Sequence, residues 1–478
     1  MKKGVRQGCP VSALLFTLAI EYMSINIRQN EKISGIKIND TECKILQYAD
    51  DSTLMLENCS SIIESLKTLQ KFSCVSGLKL NIDKCQGLWL GRLKQNTAIF
   101  ENITFGKGPI KCLGVYIGTE FKKCEQENWE KKLTAIEQIL IKWSSRKLTL
   151  YGKVTVINSL VIPKLLYCIS LLSVPQYVID KIEKLIFQYL WGKTDKIKRK
   201  TVIGTTSQGG LNITDIKLKI CAVKVSWINK LLSTNHVISQ MIAHYSAQIG
   251  LDFRSLVKMN FQSTKSFMGI HVFPKFYQEI LVYYNNCKVL TPVLQLKSHE
   301  VLTQVIWGNE YFQFNGKTLY LKCWIKSGFI FVKDLLDKDG SWINEVDILK
   351  QLKPACNWIA ELSSIKKALN PILSKIDTQT VNYIQKQLLE KITFRNHDLS
   401  LNLEPLKAKY IYRLLVEKKH QRSYTEKLWE KILKIKIYET QWDGIYNSNF
   451  KYVRYKKFSE FRYKLLMDIL PCGEKLKK

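Results

Sequence analysis

The chain has 478 residues and is 46% hydrophobic, which leaves room for two or three domains with a sizeable core and excludes a disordered tail. Its 73 Lys and Arg stand against 41 Asp and Glu, and the resulting charge of +32 exceeds what solubility needs, so a polyanion is the expected partner: nucleic acid or an acidic membrane surface. The 13 cysteines are odd in number, scattered and without a CxxC pair, which argues against a disulfide framework or zinc knuckle and for reduced thiols inside a cell.

The chain opens on Met1-Lys2-Lys3 and an apolar stretch from Val11 to Ile20 that imitates a secretory signal, but Arg6-Gln7, Pro10 and Glu21 break that pattern. No apolar run of the ~18 residues needed for a membrane span is visible. In Arg6-Gln7-Gly8-Cys9-Pro10-Val11-Ser12, Gly8 permits close backbone approach to a ligand and Pro10 can start a helix. Leu14, Leu18 and Tyr22, with Leu15, Ala19 and Ile25, predict a helical face running to about Arg28.

Gly35 to Leu56, GIKINDTECKILQYADDSTLML, is the most informative stretch. Alternating Ile36 and Ile38, the turn residues Asn39-Asp40, then Ile45, Tyr48 and an extended run from Thr53 to Leu56 predict antiparallel strands joined by tight turns, with Asp50 and Asp51 in the second turn. Adjacent carboxylates there can reach toward one site and suit hard divalent cations. Two-metal phosphoryl transfer is one chemistry open to such a pair, and plain turn hydrogen bonding is the other. Ser60 to Ser76 returns to a helical period and ends at Gly77; Lys111 to Gly118 reads as a short hairpin strand bounded by glycines.

Beyond about Gly118 long helical patterns take over. Trp129, Leu133, Ile136, Leu140 and Trp143 form one stripe between Glu127 and Trp143, and Lys131, Lys132, Lys142, Arg146, Lys147 and Lys153 make a basic set that is either a solvated face or a phosphate-contacting one. The basic run Lys196 to Lys200 precedes Gly209-Gly210 and the apolar-alternating Leu211 to Ile216, a loop leading into a short strand or helix. After about Asn235 helical and short extended stretches mix, with aromatics among lysines.

RQGCPVSALLF, YADD, SGLKLNIDKC and KCLGVYIG stand in the order and approximate spacing of motifs B, C, D and E of LINE-type (non-LTR) retrotransposon reverse transcriptases. WSSRKLTLYGKVTVINSLVIPKLLY resembles the thumb of that family, and FQYLWG and GGLNITDI its post-thumb region. The resemblance implies an α+β fold: a truncated right-hand polymerase palm, an antiparallel sheet with packed helices, over 1–120, a helical thumb and post-thumb segment over 121–235, and a basic, mainly helical region over 236–478. It implies an RNA-directed DNA polymerase working with Mg2+ or Mn2+ on an RNA template, a DNA primer and dNTPs, with no membrane partner, inside the nucleus or cytoplasm and not secreted. Asp50 and Asp51 would hold metal. Tyr48 would lie beside the incoming nucleotide and primer end, and Arg6, Gln7 and Gly8 would line the nucleotide and template pocket. Lys84, or failing it Lys79, would protonate pyrophosphate, Leu113 and Gly114 would form the primer grip, and Lys142, Arg146, Lys147 and Lys153 would meet nucleic acid.

The chain departs from the family in three respects. The strand aspartate of motif A would precede the glycine loop, and no strand stands there. Asp40 does not substitute: at ~3.3 Å per residue it lies on the order of 30 Å from Asp50 along the intervening strand. Neither an endonuclease segment nor a C-terminal Cys/His cluster is present. Impaired polymerase activity is therefore the expectation, with a catalytically inert nucleic-acid-binding remnant as the alternative. A group II intron maturase shares YADD and strong positive charge, but that family favours a PQGG-type pair where this chain has RQGCP.

Overall fold

The computed structural model describes residues 9–38, 41–96, 100, 103–106, 108–232, 237–261, 267–287, 298–337, 340–352, 357–374, 393–396, 399–402, 407–451 and 455–470. The architecture is α+β, as the sequence implies: helices predominate, and among the described residues the strands pair into six two-stranded ladders, five antiparallel and one parallel. Two compact units divide the chain, Met1–Lys131 and Lys132–Lys478.

In the first unit α1 (Pro10–Gln29) starts on a proline, whose missing N–H costs nothing in a first helical turn. Strands β1 (Ile36–Ile38) and β2 (Thr41–Cys43) form one hairpin, β3 (Ile45–Tyr48) and β4 (Asp51–Leu54) the next. Asn39 and Asp40, the turn of the first, lie outside the described residues. Helix α2 (Cys59–Ser76) is capped by the Asn58 side chain, which accepts from Ser61 N, and ends at Gly77 in the left-handed conformation. Then follow β5 (Gln86–Leu88) parallel to β6 (Thr104–Gly106), and the hairpin of β7 (Ile110–Cys112) and β8 (Val115–Ile117).

Ile20, Met23 and Ile27 of α1, Ile33, Ile45 of β3 and Phe72 of α2 make this unit's main core. The face of α1 singled out by periodicity is the other one: Leu14, Leu15, Leu18, Ala19, Tyr22 and Ile25 all face outward. The helix is apolar almost all round, so period alone does not select the buried side.

Helix α3 (Phe121–Ser144) carries the stripe read from the sequence, with Trp129 (1% exposed), Leu133, Ile136 and Leu140 buried and Trp143 half-buried. In the second unit α4 (Leu150–Val156) runs through a π turn, Ile157–Val161, into α5 (Ile162–Leu171). Pro163 in the first turn of α5 explains the wide turn, because its ring displaces the carbonyl four residues back and it offers no N–H to close an α turn. The helices Pro10–Gln29 and Leu150–Leu171 are each long and apolar enough to cross a membrane, which corrects the sequence reading that no such run exists; isolated polar residues interrupt the runs without lowering their average much. The first is 17% and the second 44% buried within the protein.

Helices α6 (Gln176–Trp191) and α7 (Arg199–Val202) lead into the glycine loop, whose form settles the open reading there: a 3-10 turn, Thr206–Gln208, then extended chain into α8 (Ile216–Val225). Gly209 adopts φ +77, and a Cβ on Gly210 would stand 2.0 Å from the Gly204 carbonyl oxygen. The Tyr463 hydroxyl donates to the Gly209 carbonyl (3.2 Å), so this loop seats helices from the end of the chain. Helices α9 (Ile228–Leu232), α10 (Val237–Ile249), α11 (Phe253–Lys258) and α12 (Lys275–Cys287) then build, with later segments, a core running from Cys221 to Ile411.

Two side chains cap the carbonyl end of α5. Trp227 Nε1 donates to Ser170 O (2.9 Å), and Lys224 Nζ donates to Leu172 O (2.6 Å). Lys224 is fully buried, 3.5 Å from Glu279 Oε2 and 3.8 Å above the Phe276 ring. Burial pushes its pKa down to about 8, against the opposing pull of Glu279. The unfolded chain therefore binds more protons between pH 8 and the ordinary lysine value, and stability attributable to this group rises with pH across that window, by up to about 3 kcal/mol. Urea unfolding at pH 7.5, 9 and 10.5 should show this rise as the difference between wild type and Lys224→Met, the variant lacking it. Gly210→Ala should lower stability by about 2–3 kcal/mol, seen as a lower urea midpoint, because the clash is backbone against backbone.

Candidate active site

The β3–β4 register pairs Ile45 with Leu54, Leu46 with Thr53, Gln47 with Ser52 and Tyr48 with Asp51, leaving only Ala49 and Asp50 as the turn. A two-residue hairpin turn demands positive φ, and Ala49 supplies it at +52, a conformation that costs a non-glycine residue on the order of 1–2 kcal/mol. Asp50 thus sits at the tip as expected, whereas Asp51 is the first residue of β4 rather than part of the turn. Directly paired residues share a face, so Asp51 stands beside Tyr48. Both carboxylates are exposed and make no hydrogen bond or ion pair among the described residues, and Tyr48 is 70% exposed.

The base of the hairpin is held as firmly as its tip is open. Ile45 is buried in the core, Ser24 of α1 donates to Gln47 Oε1, and Gln47 Nε2 donates across the strands to Ser52 Oγ (3.2 Å). Met55 N donates to Lys44 O (2.9 Å), and the buried Lys44 ammonium donates to Asn30 O (3.0 Å) with Glu42 at 3.4 Å.

Thr53 Oγ1 lies 3.7 Å from Cys112 Sγ, which brings the β7–β8 hairpin alongside. Its turn is Leu113-Gly114, both at positive φ (+45 and +83), a type I′ turn. The buried Asn128 of α3 fixes this hairpin, accepting from Tyr116 N and donating to Tyr116 O, each at 2.8 Å. Motif reading overlooks Ser24, Gln47 and Asn128, since their roles arise from tertiary pairing; the only available signal is a polar residue beside an apolar stripe.

Lys84 ends an exposed 3-10 turn (Ile82–Lys84) just before β5, and Lys79 is exposed upstream. Arg6, Gln7 and Gly8 lie outside the described residues. In the second unit Lys142, Arg146 and Lys147 are exposed, with the Arg146 guanidinium 4.5 Å over the Trp143 ring. Lys153 turns inward instead: it donates to Leu190 O (3.1 Å), and burial lowers its pKa.

Among the described residues no group of three or more His, Cys, Asp and Glu side chains is arranged to hold a metal. The Asp50-Asp51 pair still has the donor chemistry for Mg2+, which keeps several waters and takes one or two carboxylates together with substrate phosphates.

Residues 1–117 match the family described as reverse transcriptase (RNA-dependent DNA polymerase). The chain is similar to the transposon TX1 uncharacterized 149 kDa protein of Xenopus laevis, 27% identical over 236 residues, covering 48% of this chain and 18% of that protein. It is also similar to the retrovirus-related Pol polyproteins of the type-2 retrotransposable element R2DM of Drosophila melanogaster, 27% identical over 202 residues (39% of this chain, 18% of that protein). The corresponding protein of the type-1 element R2 of Popillia japonica is 24% identical over 251 residues (48% and 33%). The matched part thus spans 18% to 33% of the length of these relatives. Residues 1–117 accordingly carry a reverse transcriptase domain of the non-LTR retrotransposon type.

Proposed function

We propose that the chain supplies the palm and thumb of an RNA-directed DNA polymerase, with a partial palm over 1–120, a thumb and post-thumb segment over 121–235, and a basic accessory region over 236–478, acting inside the cell on an RNA template, a DNA primer and dNTPs. The observation that supports this best is the exposed Asp50-Asp51 pair at a two-residue hairpin tip, beside a second glycine-turned hairpin, within a segment that matches reverse transcriptases.

Asp50 and Asp51 would hold a divalent cation, Mg2+ or Mn2+, through their carboxylate oxygens. When bound, that ion neutralises charge on the phosphates undergoing transfer. Tyr48, on the face it shares with Asp51, packs against the incoming nucleotide and primer end. Gln7 and Gly8, with Arg6, contact nucleotide and template. Lys84, with Lys79 as the second candidate, donates a proton to the departing pyrophosphate, and the Leu113-Gly114 turn bears on the primer backbone. Lys142, Arg146 and Lys147 lie against phosphates of the duplex; Lys153 contributes by holding α4 to the end of α6.

The lack of a third converging carboxylate among the described residues favours a second reading for the isolated chain: binding without efficient catalysis. Primer extension on an RNA template with Mg2+ or Mn2+ should be weak or absent and no different in Asp50→Ala; robust extension lost in Asp50→Ala would show a complete catalytic site in this chain. Affinity for an RNA–DNA hybrid should fall steeply between 50 and 200 mM salt, and replacing Lys142, Arg146 and Lys147 together by alanine should lower the logarithmic salt slope by about 3. An affinity in gel shifts that ignores salt would remove the electrostatic basis of the assignment.

A further inference from the structure

Eleven free cysteines are described, and among them one pair of thiols is in sulfur-to-sulfur contact: Cys221 Sγ of α8 and Cys287 Sγ of α12, 3.4 Å apart. The two helices pack on each other, and the Lys224 contacts with Phe276 and Glu279 hold the same pair together one turn further along α8. The sulfurs are therefore placed by helix packing rather than by a mobile loop. A bond between them needs a further approach of about 1.4 Å to reach a disulfide length of about 2.0 Å, a distance that side-chain rotation covers.

We propose that Cys221 and Cys287 form an oxidant-reactive dithiol site, which a hydroperoxide converts into a disulfide bridging α8 and α12. Cys287 is the attacking sulfur. It is the more exposed of the two, and its thiol is held below the ordinary range by the hydrogen bond with Cys221 and by the nearby charge of Lys418, while the same hydrogen bond, and then burial, push the Cys221 thiol up. Its thiolate attacks the distal oxygen of the peroxide: the S–O bond forms, the O–O bond breaks, and the leaving oxide takes a proton to become water or an alcohol. The Cys221 thiol then attacks the sulfenic sulfur; the S–S bond forms, the S–O bond breaks, and hydroxide departs with the Cys221 proton as water. Two thiols are oxidised and one peroxide is reduced.

The bridge joins positions 221 and 287 and restricts the unfolded chain, so oxidation should raise resistance to unfolding, and a thiol reductant should reverse it. The test is peroxide treatment of the reduced full-length chain, then alkylation and peptide mapping. The expected product is a peptide pair joined through Cys221 and Cys287, formed faster in folded than in urea-unfolded protein and accompanied by a higher urea midpoint. In Cys221→Ser, a dione probe for sulfenic acids should label Cys287. Two results would overturn the proposal: both thiols remaining alkylatable while the exposed Cys9 and Cys74 are consumed, or the bridge forming no faster in the folded chain than in the unfolded one.

Discussion

The register of one hairpin governs the first unit. With Tyr48 opposite Asp51, only two residues are left to reverse the chain, and that brevity forces Ala49 into the left-handed region and pushes Asp50 to the apex. Slipping the pairing by one residue would turn Ile45 out of the core and Asp51 away from Tyr48 together. Burial of Ile45 and the Ser24–Gln47–Ser52 hydrogen bonds are what set the register, so the geometry of the acidic tip is determined at its base, where α1 meets β3.

Local chemistry made much of this legible in advance. The strands between Gly35 and Leu56, the helix that ends at Gly77 and the α3 stripe rest on alternation, on a left-handed glycine and on 3.6-residue periodicity, each of which acts over a few residues. Features that depend on partners distant in sequence were illegible. Helix α1 buries Ile20, Met23 and Ile27 instead of the Leu14, Leu18 and Tyr22 face, because a helix apolar on most sides is oriented only by what it packs against. Asp51 belongs to a strand because of its partner Tyr48, and Lys153 is half-buried through its bond to the carbonyl of Leu190, thirty-seven positions away.

The positive charge of the chain divides into two populations with different physics. Lys142, Arg146 and Lys147 project into solvent, where ions screen them and a polyanion can replace those ions. Lys44, Lys153 and Lys224 instead donate to the carbonyls of Asn30, Leu190 and Leu172, Lys44 and Lys224 from buried positions and Lys153 from a half-buried one. Total charge therefore overstates the surface available to nucleic acid, and the lysines closing helix ends are part of the scaffold.

Asn128 matters beyond the hairpin it fixes. Tyr116 is the middle residue of β8, and both its N–H and its C=O point away from β7, toward the position of a further strand. The carboxamide of Asn128 occupies that position, giving one donor and one acceptor as a peptide group would. A short ladder whose outer edge is already satisfied by a side chain offers no template to another copy, so this rim of the domain is guarded against the strand-to-strand association that exposed edges invite.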